Sequence, residues 1–181
     1  ETAKEPLEVG ADIIAGSLIK NPGGGIVEAG GYIAGKAKFV DKSANRLTAP
    51  GIGSEGGAMF NQHRLMFQGL FMAPSVVCDA VKGAVLAAKI FEEIGYDSAP
   101  KYNEKRTDII QNIIFGSPEP LEQFCRTIQS LSPVNGYVTP IPEYIPGYED
   151  KVIMAGGTFI EGSTIELSAD GPMRAPYVAY M

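Results

Sequence analysis

Residues 10–31 read GADIIAGSLIKNPGGGIVEAGG. Lys20 stands between an apolar run (Ile13, Ile14, Leu18, Ile19) and three consecutive glycines at 23, 24 and 25. A surface lysine needs no such setting. A buried approach and a flexible collar suit an amine that is partly dehydrated, neutral for part of the time, and able to move. Ser17, three residues earlier, completes S-x-x-K. The serine hydrolases that use this pattern also need S-D-N and K-T-G, and neither string occurs. What remains is a lysine at a strand end with a hydroxyl close by, a setting for an amine beside a phosphate-bearing aromatic cofactor.

The chain has 22 glycines, and they cluster at 23–35 and 51–57, where backbone is shaped around something. Two of the resulting motifs are decoys. GGYIAGK (30–36) has the spacing of a Walker A loop. However, Ala37 stands where Ser or Thr must hold magnesium, and Tyr32 and Ile33 read as strand. GIGSEG (51–56) has the dinucleotide spacing, but no strand precedes it. Thr48 and Ser54 place hydroxyls on that loop, where they could meet a phosphate if the loop opens a helix. A plain helix start explains either one alone.

Length and charge narrow the rest. At 181 residues the chain can form one large domain, or one and a half small ones. A net charge of −6 without a basic tract argues against nucleic acid and anionic membranes as partners. No apolar run reaches the ~20 residues of a membrane helix, so no span is expected. Cys78 and Cys125 sit in helical, apolar patterns and read as buried thiols of a reducing compartment. With His63 the single histidine, any histidine-based triad must use it. The chain opens without Met and closes on the apolar APYVAYM, so both ends read as cuts through a longer protein.

The pattern along the chain predicts a short buried strand within 9–19, a second strand at 32–34 and a helix over 37–47. Residues 57–72 are helical in composition. Pro74 then starts a separate helix, with an apolar stripe of Val77, Val81, Ala84, Val85, Ala88 and Phe91 and a Gly95 cap. A small α+β unit follows from about residue 96. It comprises a strand at 108–115, a helix opened by Ser117 and Pro118, a proline-rich loop, and a hairpin turning at Glu161 and Gly162 with Ile165 and Leu167 alternating after it. The predicted domains are therefore 1–95 and 96–181.

Four stretches together resemble one family: DIIAGSLIKNPGGGIVEAGGYIAG, RLTAPGIGSEGG, KYNEKRTDIIQ and PGYEDKVIMAGGTFIEGSTIELSADGPMRAPYVAYM. It is the aluminium-resistance or methionine gamma-lyase-like family of pyridoxal-phosphate (PLP) enzymes, related to cystathionine lyases. The resemblance implies a fold class of mixed α/β and α+β. The chain would be the C-terminal part of PLP fold type I, the end of the large cofactor domain followed by the small domain. It also implies a carbon–sulfur lyase acting on a sulfur amino acid by β- or γ-elimination. On this reading Lys20 forms the Schiff base with PLP and serves as the catalytic base. Ser17 contacts the cofactor phosphate, and Thr48 matches a position that reaches the phosphate of a neighbouring subunit. Ile19 replaces the usual hydroxyl. Arg174, in DGPMRAPY, matches the arginine that holds the substrate carboxylate, with Arg106 and Arg46 as competitors. The family implies a cytoplasmic homo-oligomer, dimeric or tetrameric. The site's remaining parts lie upstream, so the piece alone is expected to be inactive. The alternative is a non-catalytic ligand-binding or assembly domain.

Overall fold

The computed structural model describes residues 3–57, 59–159 and 165–181. Its contacts divide into two compact units, Glu1–Pro74 and Ser75–Met181.

In the first unit a 3₁₀ turn, Pro6–Val9, leads into strand β1 (Ile13–Ser17). This pairs antiparallel with β2 (Gly31–Gly35), in a register running from Ile13 opposite Gly35 to Ser17 opposite Gly31. Helix α1 follows at Ala37–Leu47, as the pattern predicts. The expectation of a buried β1 is not met, since Ile13 is 40% exposed and the ribbon has only two strands. A two-stranded ribbon cannot cover both of its own faces.

Helix α2 spans His63–Glu93 without a break and contains Pro74. The sequence pattern predicted two helices here, the second opened by Pro74. Proline lacks the N–H and costs about 3 kcal/mol inside a helix, so it reads as a start. Unbroken, α2 is long and apolar enough to cross a bilayer by length and composition, which corrects the expectation drawn from the interrupted pattern. The helix ends as predicted. The Gly95 N–H bonds to the Glu92 carbonyl at 3.2 Å, and Gly95 takes a positive φ of 99°.

The second unit holds a five-stranded antiparallel sheet, in the order β3 (Asp97–Ala99), β4 (Asn112–Ile114), β7 (Val178–Tyr180), β6 (Ala169–Pro172), β5 (Val152–Ala155). Helix α3 (Pro118–Ser130), opened by Ser117, packs on one face. Ile113, Leu121, Cys125, Ile153 and Ala179 are completely buried between the two layers. The rings of Phe91, Tyr96, Phe115 and Phe124 close one end, with centroids 4.9–6.1 Å apart. The α2 stripe behaves as read, with Val77, Ala84 and Ala88 buried.

The apolar tail contributes β7, the central strand of the five-stranded sheet. The hairpin turn at Glu161 and Gly162 lies outside the described residues, and the strand that follows starts at Ala169, after the alternating stretch. Cys125 is buried but Cys78 is exposed, on the outer side of α2.

Candidate functional site

Ser17 is the last residue of β1, and Lys20 follows as the N-cap of a short 3₁₀ turn, Asn21–Gly23. The Leu18 N–H bonds to the Gly30 carbonyl at 3.0 Å, which closes the loop that begins at the strand end. Ser17 and Lys20 are both half-buried. Among the described residues no carboxylate pairs with Lys20. By contrast, Lys36 of the Walker-like string forms an ion pair with Asp12 at the end of a strand, which removes it from any phosphate loop.

The glycines after Lys20 do something other than provide slack. Gly24 has φ +59°, and a Cβ there would run into the carbonyl oxygen of Gly69. A Cβ on Gly69 would in turn strike the Gly23 carbonyl oxygen, and Val27 Cγ2 at 2.9 Å. The loop and α2 thus meet backbone to backbone, which only paired glycines allow. Two further contacts lie nearby: Met66 packs over Gly30, and Gln62 Nε2, just before α2, donates to Glu28 at 3.3 Å. The first turns of α2 thus hold the lysine loop. The expected mobile collar is instead a tightly packed one.

Thr48 caps the C-terminus of α1 and is exposed. Its hydroxyl lies 2.8 Å from the Ala44 carbonyl oxygen and 3.0 Å from that of Gly53. To donate to a phosphate it must release that bond. The glycine loop at 51–57 runs on from α1 and does not open α2 directly, since that helix starts at His63. Arg46 lies in the exposed last turn of α1.

Arg174 belongs to the second unit, on the turn between β6 and β7. It is exposed and pairs with Asp150 at 3.4 Å. It borders a cleft of about 230 Å³ whose wall includes Asp170, Tyr180, Tyr148 and Glu149. Asp170 and Tyr180 face each other across β6 and β7, and Met154 pairs with Asp170 from β5. These three side chains project from the sheet face opposite α3. They also border an apolar cavity of about 500 Å³ that reaches Ala84 and Ile110. Burial lifts the Asp170 carboxyl above its ordinary range. Arg106, the other candidate in this unit, is buried and donates to Gln111. Its Nε and NH1 have no hydrogen-bond partner, and burial lowers its pKa. It faces neither cleft. Sequence reading missed Asp150, Asp170 and the two tyrosines, because only the fold gathers them beside Arg174: Asp170 and Tyr180 by strand pairing, Tyr148 and Asp150 from the loop before β5.

The comparisons bear on the whole chain. The family model of methionine gamma-lyase matches residues 1–181. The uncharacterised protein YnbB of Bacillus subtilis strain 168 is 56% identical over 177 residues, covering 98% of this chain and 42% of YnbB. A 33.9 kDa protein of Lactobacillus delbrueckii is 52% identical, with 58% of its length covered. Among solved structures, a carbon–sulfur lyase involved in aluminium resistance from Clostridium novyi is 53% identical with a TM-score of 0.88, over 98% of this chain and 41% of that one. A Listeria monocytogenes protein, provisionally named a cystathionine beta-lyase involved in aluminium resistance, is 54% identical with a TM-score of 0.92, over 98% and 44%. The chain thus spans about half the length of the relatives it matches. A match over all 181 residues makes this chain a member of the methionine gamma-lyase family.

Proposed function

We propose that this chain carries the lysine-bearing end of the large domain and the small C-terminal domain of a PLP-dependent carbon–sulfur lyase. Its substrates would be sulfur amino acids, cleaved by β- or γ-elimination in a cytoplasmic homo-oligomer. The observation that carries the reading is Lys20 itself. It is half-buried, without a carboxylate partner among the described residues, and on a loop clamped against α2. An amine free of ion pairing and fixed in place is what an aldehyde cofactor needs.

Lys20 Nζ would hold PLP covalently, and Ser17 would donate to its phosphate. Thr48 would do the same from a neighbouring subunit by giving up its bond to Ala44 or Gly53. PLP, when bound, supplies the electron sink that makes a substrate Cα proton removable. Once released, Lys20 Nζ would take that proton and, for γ-elimination, would also remove one from Cβ; the β- or γ-thiolate would leave with the electron pair of its C–S bond and be protonated to the thiol. Arg174 would hold the substrate carboxylate with the donors that Asp150 does not occupy. The large-domain boundary is proposed at residue 95, at the end of α2.

The test is borohydride reduction of the full-length protein that carries this chain, after incubation with PLP, followed by peptide mapping. A pyridoxyl group on Lys20 is expected. Lys20→Ala should lose the label and lower turnover by about 10²–10⁴-fold, the range for a positioned acid–base group. Label on Lys36 instead, or none, would favour the second reading: a non-catalytic binding or assembly domain. The close packing of Gly23 and Gly24 on Gly69 suits that reading too, because it gives those glycines a purely structural use.

A further inference from the structure

An exposed arginine recognises a carboxylate poorly unless something holds its long side chain in place. The backbone of Arg174 is fixed. The Met173 N–H donates to the Lys151 carbonyl at 2.7 Å, the Arg174 N–H to that of Pro172 at 2.8 Å, and the Tyr177 N–H to that of Arg174 at 2.7 Å. The first of these bonds ties the turn after β6 to the neighbour of Asp150. The loop that carries Asp150 is itself closed, by the Tyr148 N–H on the Ile145 carbonyl at 3.0 Å and by the paired backbones of Glu143 and Val152. Asp150 and Arg174 thus stand on adjoining, hydrogen-bonded segments, with Oδ2 of the acid 3.4 Å from Nη1 of the arginine. The acid is the better packed partner, its side chain 38% exposed against 65% for the arginine. Both border the same cleft of about 230 Å³. The contact uses Nη1 alone. Among the described residues, Nε and Nη2 make no hydrogen bond. Those two groups lie along one edge of the guanidinium, and that edge is a fork matched to both oxygens of a carboxylate.

We propose that Asp150 is a positioning residue for Arg174. It tethers the guanidinium at the cleft through Nη1 and leaves the Nε–Nη2 edge to take the carboxylate of an amino acid. Asp150 touches no reacting atom, so it acts on substrate binding and not on the chemical step. The proposal deepens the lyase reading and rests on it for the identity of the ligand. The tether itself belongs to this unit alone.

Two measurements test it. In the chain as it is, magnetic relaxation of the Arg174 Nε–H reads the order of that side chain on the ps–ns scale. Asp150→Asn should lower the order, and Asp150→Glu, which restores the charge, should recover it. In the full-length protein that carries this chain, loaded with PLP and given L-cystathionine, Asp150→Asn should raise KM about two- to fivefold, the scale of one partly exposed ion pair. It should leave kcat unchanged, the pattern of lost uniform binding. With Arg174→Gln already in place, Asp150→Asn should add nothing to KM. An Asp150→Asn variant with unchanged order and unchanged KM overturns the proposal. So does a lowered KM, which would make Asp150 a competitor for the guanidinium. A fall in kcat, or the same rise in KM on the Arg174→Gln background, also overturns it, since either would mark a general disturbance of the fold. If Arg174→Gln itself leaves KM unchanged, Arg174 does not hold the carboxylate and the proposal falls, while a pyridoxyl label on Lys20 keeps the lyase reading. If Lys20 takes no label, the lyase reading falls, and the order of Arg174 in the chain still decides the tether.

Discussion

At the scale of single residues, the two thiols separate most clearly. Burial first, and the charge of Asp170 second, push the Cys125 thiol up to about 12. Cys125 has no exposed surface, whereas Cys78 lies exposed on α2. Because the thiolate is the reactive form, Cys125 should be inert in the native chain. A disulfide reagent at pH 8 should titrate one thiol rapidly and the second only in denaturant. Asp170 offers a pH test. Its folded-state carboxyl lies above the ordinary value because burial disfavours the charge. A raised acid binds its proton more tightly when folded, so its favourable contribution is complete below the unfolded value, ~3.9, and disappears as pH rises through the folded one. Asp170→Asn should therefore raise the thermal midpoint at pH 7. The advantage over wild type should shrink to nothing as pH falls below ~3.9. An Asn variant less stable at pH 7 would mean that the carboxylate is compensated by a partner.

At the scale of elements, two glycines of one helix make a paired test. Each lies in the interior of α2, where Gly→Ala gains about 1 kcal/mol of helix propensity. At Gly83 an added Cβ meets nothing within 4 Å, so Gly83→Ala should raise the urea midpoint. At Gly69 the same methyl strikes the Gly23 backbone and Val27, an overpacking that costs about 1–3 kcal/mol. Gly69→Ala should therefore lower stability and disturb the Lys20 loop. Equal effects at the two sites would refute the clamp. The contrast also shows what the sequence could and could not tell. β2, α1 and α3 are legible because their signals are local: apolar alternation, helical spacing, and Ser117 with Pro118 at a start. The Gly23–Gly69 contact spans 46 residues and leaves no local pattern. The unbroken α2 was hidden by Pro74, whose local preference is for a helix start. β3 and β7 are three residues each, too short for periodicity to register. At the site, Lys20 and Ser17 could be read from one turn. The acids around Arg174 come from β6 and a loop and meet only through the sheet.

At the scale of the whole molecule, the question is what the bare apolar surface is for. Phe60, Phe67 and Phe71 are 84%, 71% and 84% exposed, and Leu70 adds to them. They lie on or beside the part of α2 whose other face is committed to the lysine loop. Three exposed phenylalanines in so short a stretch mark a surface that a partner or another part of the chain covers. The chain spans 42% of YnbB and 58% of the Lactobacillus relative, so those relatives carry further chain of comparable length. Alone, the chain should have no lyase activity and should self-associate through this face at micromolar concentration. The double substitution Phe67→Glu, Phe71→Glu should return it to a monomer by sedimentation. It should leave the thermal midpoint unchanged, because neither ring contributes to the core. A wild-type chain that sediments as a monomer would show that this face needs no cover. A fall in midpoint on substitution would instead show that the rings stabilise the unit itself. If monomer and midpoint both behave as expected, the face belongs to assembly, and in the full-length protein, for which a homo-oligomer is proposed, the same substitutions should lower the sedimentation coefficient before they alter labelling at Lys20.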